Sequence, residues 1–263
     1  MRKYLFIIKT QIMSNLQYIT NIFGGFIGFF FILIILFNLY QYLYSDPNEL
    51  INGYSMYQMI WYVIITELLW SILGGSRMSK KIANDVKAGN ITYNINKPYS
   101  YVGYCLASNI GDMFLKFIFY TLFGMVLGLI FVGHFPNLNI ISILIVLMVA
   151  FLALVISILL ITSIGLISFF MEDASPLYWL YSKFILILGT IFPIEFFPLF
   201  LQKILLFSPI YVVSYGPARL FVNFNYVDAI NIFCAQIIYI FISYMLCSFI
   251  YGKGVKKINV NGG

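Results

Sequence analysis

Apolar residues run along this chain in blocks of about twenty, a length that matches a bilayer core of about 30 Å, so each block predicts a membrane-spanning helix. Six are read, over residues 22–42, 54–73, 110–132, 139–170, 177–192 and 229–251, the first closed by Tyr40, Tyr42 and Tyr44 as an aromatic belt at the far interface. The fourth is longer than a bilayer requires, which predicts a helix that tilts or projects past one surface. Ahead of the first block, Leu5, Ile8, Ile12, Leu16 and Ile19 recur at helical spacing, with Lys3, Thr10, Ser14, Gln17 and Asn21 opposite them. These stripes predict an amphipathic helix over 1–21 lying in the membrane interface, the alternative being an extension of the first span. Lys9 interrupts the short apolar run and no small-residue cleavage site follows, so a signal peptide is not expected.

After the fifth block the pattern breaks. Pro193, Pro198, Pro209 and Pro217 each remove a backbone donor and disfavour helix in the residue before them. Short broken helices over 193–225 are the expectation, including 199–207 and 218–224. Irregular backbone at membrane depth survives only against protein or a water-filled cavity. Before the fifth block, the turn MEDASP offers Ser175 as a cap and Pro176 as the first helical residue.

The one long polar interruption is 74–104, GGSRMSKKIANDVKAGNITYNINKPYSYVGY. It holds Arg77, Lys80, Lys81, Lys87 and Lys97 against the single acid Asp85. Met78, Ile82 and Val86 recur at i, i+4 and i+8, predicting a basic helix over 77–88 that Lys87 and Gly89 stop. Beyond it Ile91, Tyr93 and Ile95 alternate with Thr92, Asn94 and Asn96, predicting extended chain as far as Pro98, and Ser100 is placed to cap the next helix. Two uses fit such a segment: docking a cytoplasmic partner, or resting on anionic headgroups.

Composition agrees with the pattern. Hydrophobic residues make up 62% of the chain and charged residues 9%, far below the roughly 25% of soluble domains, so 1–263 is read as a single all-α membrane domain. The net charge of +6 sets orientation and does not signal nucleic acid. Basic residues at the N-terminus, in 74–104 and at Lys253, Lys256 and Lys257 place both termini and the loop in the cytoplasm, with the acidic SDPNELING turn outside. Lys203 and Arg219 are exceptions to that rule. Cys105, Cys234 and Cys247 have neither metal nor disulfide spacing and are expected as buried thiols. His134 has no second ligand in range, so no metal site is expected.

Charges inside spans mark sites or packing devices. Glu67 could meet a cationic group of a substrate, couple protons, or form an interhelical pair. Asp112 and Lys116, at i and i+4, are read as a structural ion pair. Glu195 is the acid placed to meet the outer end of a transport path. No catalytic or cofactor pattern is found. Gly252-Lys253 is followed by Gly254 and lacks the hydroxyl residue of a phosphate-cradling loop, so this chain binds no ATP in the usual way.

Taken in order, the N-terminal helix, the six spans, IANDVKAGNITYNINKPYSY, MEDAS, FPIEFFPLFLQKIL and YGPARLF resemble the type-2 permeases of ATP-binding-cassette exporters, in a bacterial branch, over essentially the whole chain. The resemblance implies that Asp85, Val86, Lys87, Ala88, Gly89 and Asn90 lie in or beside a coupling helix docked on a separate ATPase. It implies two ATPase subunits carrying ATP and Mg, a second permease chain identical or related, and broken outer helices closing the path. The cell's inner (plasma) membrane is the expected location, and a hydrophobic or amphipathic molecule the expected cargo. A stand-alone channel or proton-coupled carrier using Glu67 is the competing reading, and a membrane anchor that recruits a soluble enzyme is a third.

Overall fold

The computed structural model describes residues 2–91, 93, 97–171 and 173–261. Its helices are α1 (Arg2–Gln17), α2 (Thr20–Leu43), α3 (Met56–Leu73), α4 (Gly75–Lys87), α5 (Tyr101–Val132), α6 (Ile140–Leu166), α7 (Ser175–Ile185), α8 (Leu199–Leu206), α9 (Gly216–Val222) and α10 (Tyr226–Asn261). Five stretches are long and apolar enough to cross a bilayer: α2, α3 run on into α4, α5, α6 with a short 3-10 continuation, and α10. The expected fifth span is α7 plus a π-helical turn, Leu186–Ile191, seventeen residues in all.

α3 is the centre of the bundle. It is apolar all round, and such a helix must be surrounded; α2, α5, α6 and α9 pack about it. In its most apolar window 72% of residues are buried, against 22% in α2 and in α10. The outer helices turn side chains such as Phe31, Ile35, Ile130 and Phe241 outward, where lipid tails or another apolar chain would cover them.

Helix ends follow local chemistry. Ser55 and Gln58 form a capping box on α3. Ser100 caps α5 as expected, its Oγ accepting from the Gly103 N–H at 3.1 Å. At α7 the expectation for Ser175 is corrected: the Asp173 carboxylate accepts the Ser175 N–H at 2.9 Å, with Pro in the first turn. An ionised carboxylate is the stronger acceptor, and this N–H holds the Asp173 carboxyl below its ordinary pKa.

The N-terminal helix has three sides where the sequence suggested two. Ile8 and Gln11 sit over Gly111 of α5, whose missing side chain admits them: a Cβ there would stand 2.7 Å from the Ile8 carbonyl and from Gln11 Cβ. Leu5, Phe6, Met13 and Leu16 point outward, and Lys3, Thr10 and Gln17 are exposed on a third side. Ile8 and Ile12 therefore leave the predicted apolar stripe for the protein contact. The expected tyrosine belt at 40–44 is also corrected, since only Tyr42 is exposed while Tyr40 and Tyr44 are buried.

Between α2 and α3, Asn52 and Gly53 both take positive φ, 51° and 86°, the conformation of a two-residue hairpin turn that Asn-Gly adopts at least cost. Ile51 and Tyr54 exchange backbone hydrogen bonds of 3.0 and 3.1 Å across it. This turn fixes Tyr54 over the end of α3. In the segment after α4, Ile91 and Tyr93 are helical, where extended chain was expected; Thr92 and residues 94–96 lie outside the described residues.

Candidate functional site

The far end of the bundle from α4 is where the prolines act. α7 widens into the π turn at 186–191, Phe192 is extended before Pro193, and α8 starts after Pro198. A second π turn, Tyr211–Tyr215, leads into α9, and α8 is bent 79° from the 211–222 stretch. The carbonyls at the end of the first π turn are met by hydroxyls from neighbouring elements. Gly189 O accepts from Tyr62 at 2.7 Å and from Ser214 at 2.8 Å, Thr190 O accepts from Thr66 at 3.1 Å, and Ile191 O accepts from Tyr40. Each would otherwise be a buried acceptor without a partner, costing about 1–3 kcal/mol. Gly189 lets the π turns touch, since a Cβ on it would stand 2.7 Å from Ile210 Cγ2 and 3.0 Å from Ser214 Cβ.

Just beyond, Glu195 gathers three partners on one oxygen. Oε1 accepts from Tyr54 at 3.1 Å and from Tyr215 at 2.6 Å, and lies 3.5 Å from Arg219 Nε. The Arg219 guanidinium also lies over the Tyr54 ring, 5.6 Å from its centroid. The Tyr54 phenol is buried and donates to the Glu195 carboxylate. Glu195, expected near a transport path, thus ties the hairpin turn, the 3-10 turn Ile194–Phe196 and α9 together. It also accounts for Arg219, one of the two exceptions to the charge rule; the other, Lys203, is exposed.

Glu67 is 2% exposed, and the hydrogen bond it accepts comes from Ser71 Oγ on its own helix at 3.2 Å. Among the described residues the expected interhelical ion pair is not formed, because no cation lies within 4 Å of it; the Tyr120 phenol of α5 is within electrostatic reach. Asp112 and Lys116 do pair, at 2.5 Å, and Asn15 adds bonds of 3.1 and 3.2 Å to Asp112 that hold α1 on α5. His134 stands edge-on to Tyr57, and the described residues contain no metal-binding group. Cys105 and Cys247 are buried as expected, while Cys234 is exposed.

At the other end of α3, Gly74 takes φ 53°, a left-handed conformation natural to glycine, and α4 resumes directly. Met78, Ile82 and Val86 turn inward together with Gly75, Ser79 and Ala83, pressed on Gly165 of α6, where a Cβ would stand 2.8 Å from Ile82 Cβ. Val86, one of the six residues assigned to coupling, therefore serves internal packing. Tyr101 donates to Asp85 Oδ2 at 3.2 Å, joining α4 to α5. Lys80, Lys81, Asn84, Lys87, Ala88 and Asn90 are exposed, with Asp85 and Gly89 half-buried beside them. Gly89 takes φ 71° and ends the helix. The result is a basic, exposed surface on a helix whose other face is packed in the bundle.

Sequence reasoning missed the hydroxyl collar of Tyr40, Tyr62, Thr66 and Ser214. Its signal was Tyr62 and Thr66 at i, i+4 in an otherwise oily span. It also missed Tyr54 and Tyr215, whose roles exist only once distant elements meet.

No curated protein matches the chain. The profile of a family described as ABC-2 family transporter protein matches residues 30–262, from within α2 to the end of α10. That span includes α4, both π turns and the Glu195 cluster, and with it the chain belongs to the ABC-2 transporter family, as a multi-pass membrane permease component of an ABC transporter.

Proposed function

We propose that this protein is the permease subunit of an ATP-driven exporter, moving a hydrophobic or amphipathic molecule and forming half of the translocation path. The observation that carries it is the α4 surface: an amphipathic helix whose apolar face is locked to α6, and whose polar face and C-terminal turn, through Asn90, are offered outward. In this reading α4 is cytoplasmic and 85–90 docks on an ABC ATPase. Two such ATPases, holding ATP and Mg, serve two permease chains, identical or related, in the inner membrane with both termini in the cytoplasm. Closure of the motors pushes α4, and the α3 helix continuous with it carries the movement into the bundle. Lys87, Ala88, Gly89 and Asn90 supply the contact surface, Asp85 orients it through Tyr101, and Val86 anchors it. The Glu195 cluster closes the outer end.

The experiment is purification of the tagged full-length chain from its native membrane in mild detergent, with co-purifying ATP hydrolysis measured. A stoichiometric ATPase is expected, lost from a Lys87→Glu/Ala88→Trp variant that is still inserted and monodisperse. Recovery of the chain alone, or undiminished ATPase in the variant, overturns the assignment.

A further inference from the structure

Between α4 and the start of α7 lies a cavity of about 220 Å³, lined by Ser76, Ser79, Lys80, Ser175, Ser182 and Trp179, with Tyr178 at its inner wall. Four serine hydroxyls and an ammonium line it, Ser182 also donating to the Trp179 carbonyl at 2.7 Å, and among the described residues no carboxylate does. Such a donor set fits an oxygen-rich anion. Lys183 strengthens it, its ammonium 5.8 Å from the Trp179 ring centroid. Among the described residues Asp173 is an acid nearby; its carboxylate is engaged by the Ser175 N–H and lies within the electrostatic reach of Lys80 and Lys87.

The surroundings add an apolar side. Trp179, Leu180, Phe184 and Ile187 are exposed along one side of α7 and its π turn, above the polar lining. Tyr178 also borders a second cavity between α3, α6 and α7, lined by Leu69, Ile161 and Val213 together with Thr66, Ser157 and Ser214 and only about 20 Å³ in volume, room for about one water. Tyr178 stands against the α3–α4 junction: a Cβ on Gly75 would lie 2.7 Å from its hydroxyl and 2.9 Å from Ile161 Cδ1. Tyr178 thus lines both the larger vestibule and the smaller cavity, and its phenol rests on the root of α4.

We propose that the vestibule between α4 and α7 binds the phosphate headgroup of an anionic amphiphile drawn from the adjoining leaflet, its chain lying along the apolar side of α7. Lys80 and the serine hydroxyls hold the phosphate oxygens, and Trp179 marks the border between headgroup and chain. Tyr178, shared by both cavities and resting on the root of α4, is the side chain that a movement of α4 would displace. The site rests on the permease reading only in that the bound amphiphile is cargo.

The test uses the full-length chain in phosphatidylcholine nanodiscs containing a few per cent of chain-brominated phosphatidylglycerol, read by quenching of tryptophan fluorescence. Brominated phosphatidylglycerol is expected to quench at about fivefold lower content than brominated phosphatidylcholine, the preference that one well-placed lysine confers. Lys80→Gln should abolish that preference and Lys81→Gln, outside the cavity, should keep it. Equal loss in both variants would mean general surface charge, and no loss in either would remove the site; each overturns the proposal. Release of quenching by inorganic phosphate at the same concentration as the lipid would assign the site to a free anion and overturn the amphiphile. Because no ATPase is present, failure here is separable from failure of the ATPase co-purification.

Discussion

The two ends of α3 carry polar groups of opposite character. At the far end Tyr40, Tyr62, Thr66 and Ser214 donate to the carbonyls of one π turn, and Glu195 takes two phenols and a guanidinium on a single oxygen. At the α4 end Ser76, Lys80, Lys81 and Lys87 are exposed, and Ser76 and Lys80 line an open vestibule. The difference separates two uses of polarity in an oily protein. Donors aimed at backbone hold a broken chain together, because an unmet carbonyl in hydrocarbon is costly; donors left facing a cavity are available to something else.

Breaking the far end should have the largest effect on stability. Glu195→Ala leaves Arg219 half-buried without its counter-charge and strands two phenols, so a loss of about 2–3 kcal/mol is expected, read as a lower thermal midpoint in detergent. Arg219→Lys should lose less, since charge is kept. Tyr62→Phe removes one of two donors to the Gly189 carbonyl, and because Ser214 still donates, about 1 kcal/mol is expected. Equal losses from Glu195→Ala and Tyr62→Phe would show that the ion pair adds nothing to the collar.

A smaller effect comes with pH. Burial first, and then the nearby Glu49, raise the Tyr44 phenol from 10.0 to about 12. A raised acid keeps its proton longer folded than unfolded, so its contribution is complete below about 10 and falls as pH climbs from about 10 to about 12. Alkaline titration of thermal stability should show this decline, lessened in Tyr44→Phe. The smallest effect on stability belongs to the α4 end. Lys87→Glu, on an exposed position, should change stability by under about 0.5 kcal/mol while ATP-driven transport falls at least about tenfold, consistent with a surface built to be touched. A large stability loss there would erase the contrast between the two ends.

Much of the architecture was legible because bilayer thickness and helical rise fix span length. The apolar blocks located the long helices to within a few residues at most ends; the exceptions are α5, which starts at the Ser100 cap well before its apolar block, and α10, which runs on to Asn261 past the end of its own. The spacing of Met78, Ile82 and Val86 gave α4 and its inward face. Prolines announced a broken segment that protein would have to satisfy. The Asn52-Gly53 turn was also written in the sequence and went unread, being a local signal lost among long apolar runs. What failed were assignments that depend on a neighbour. The tyrosines at 40 and 44 read as interface anchors, yet both are buried, Tyr40 donating to the carbonyl of Ile191 and Tyr44 to that of Tyr54.

By itself the sequence determined the class of this protein: its hydrophobic blocks can be satisfied only as helices in a bilayer. Only the tertiary structure decided which polar groups are bound and which are open. A carbonyl freed by a π turn, a carboxylate at Glu195 or a hydroxyl at Ser79 has the same chemistry wherever it lies, and its role depends on what the fold brings within 3 Å of it.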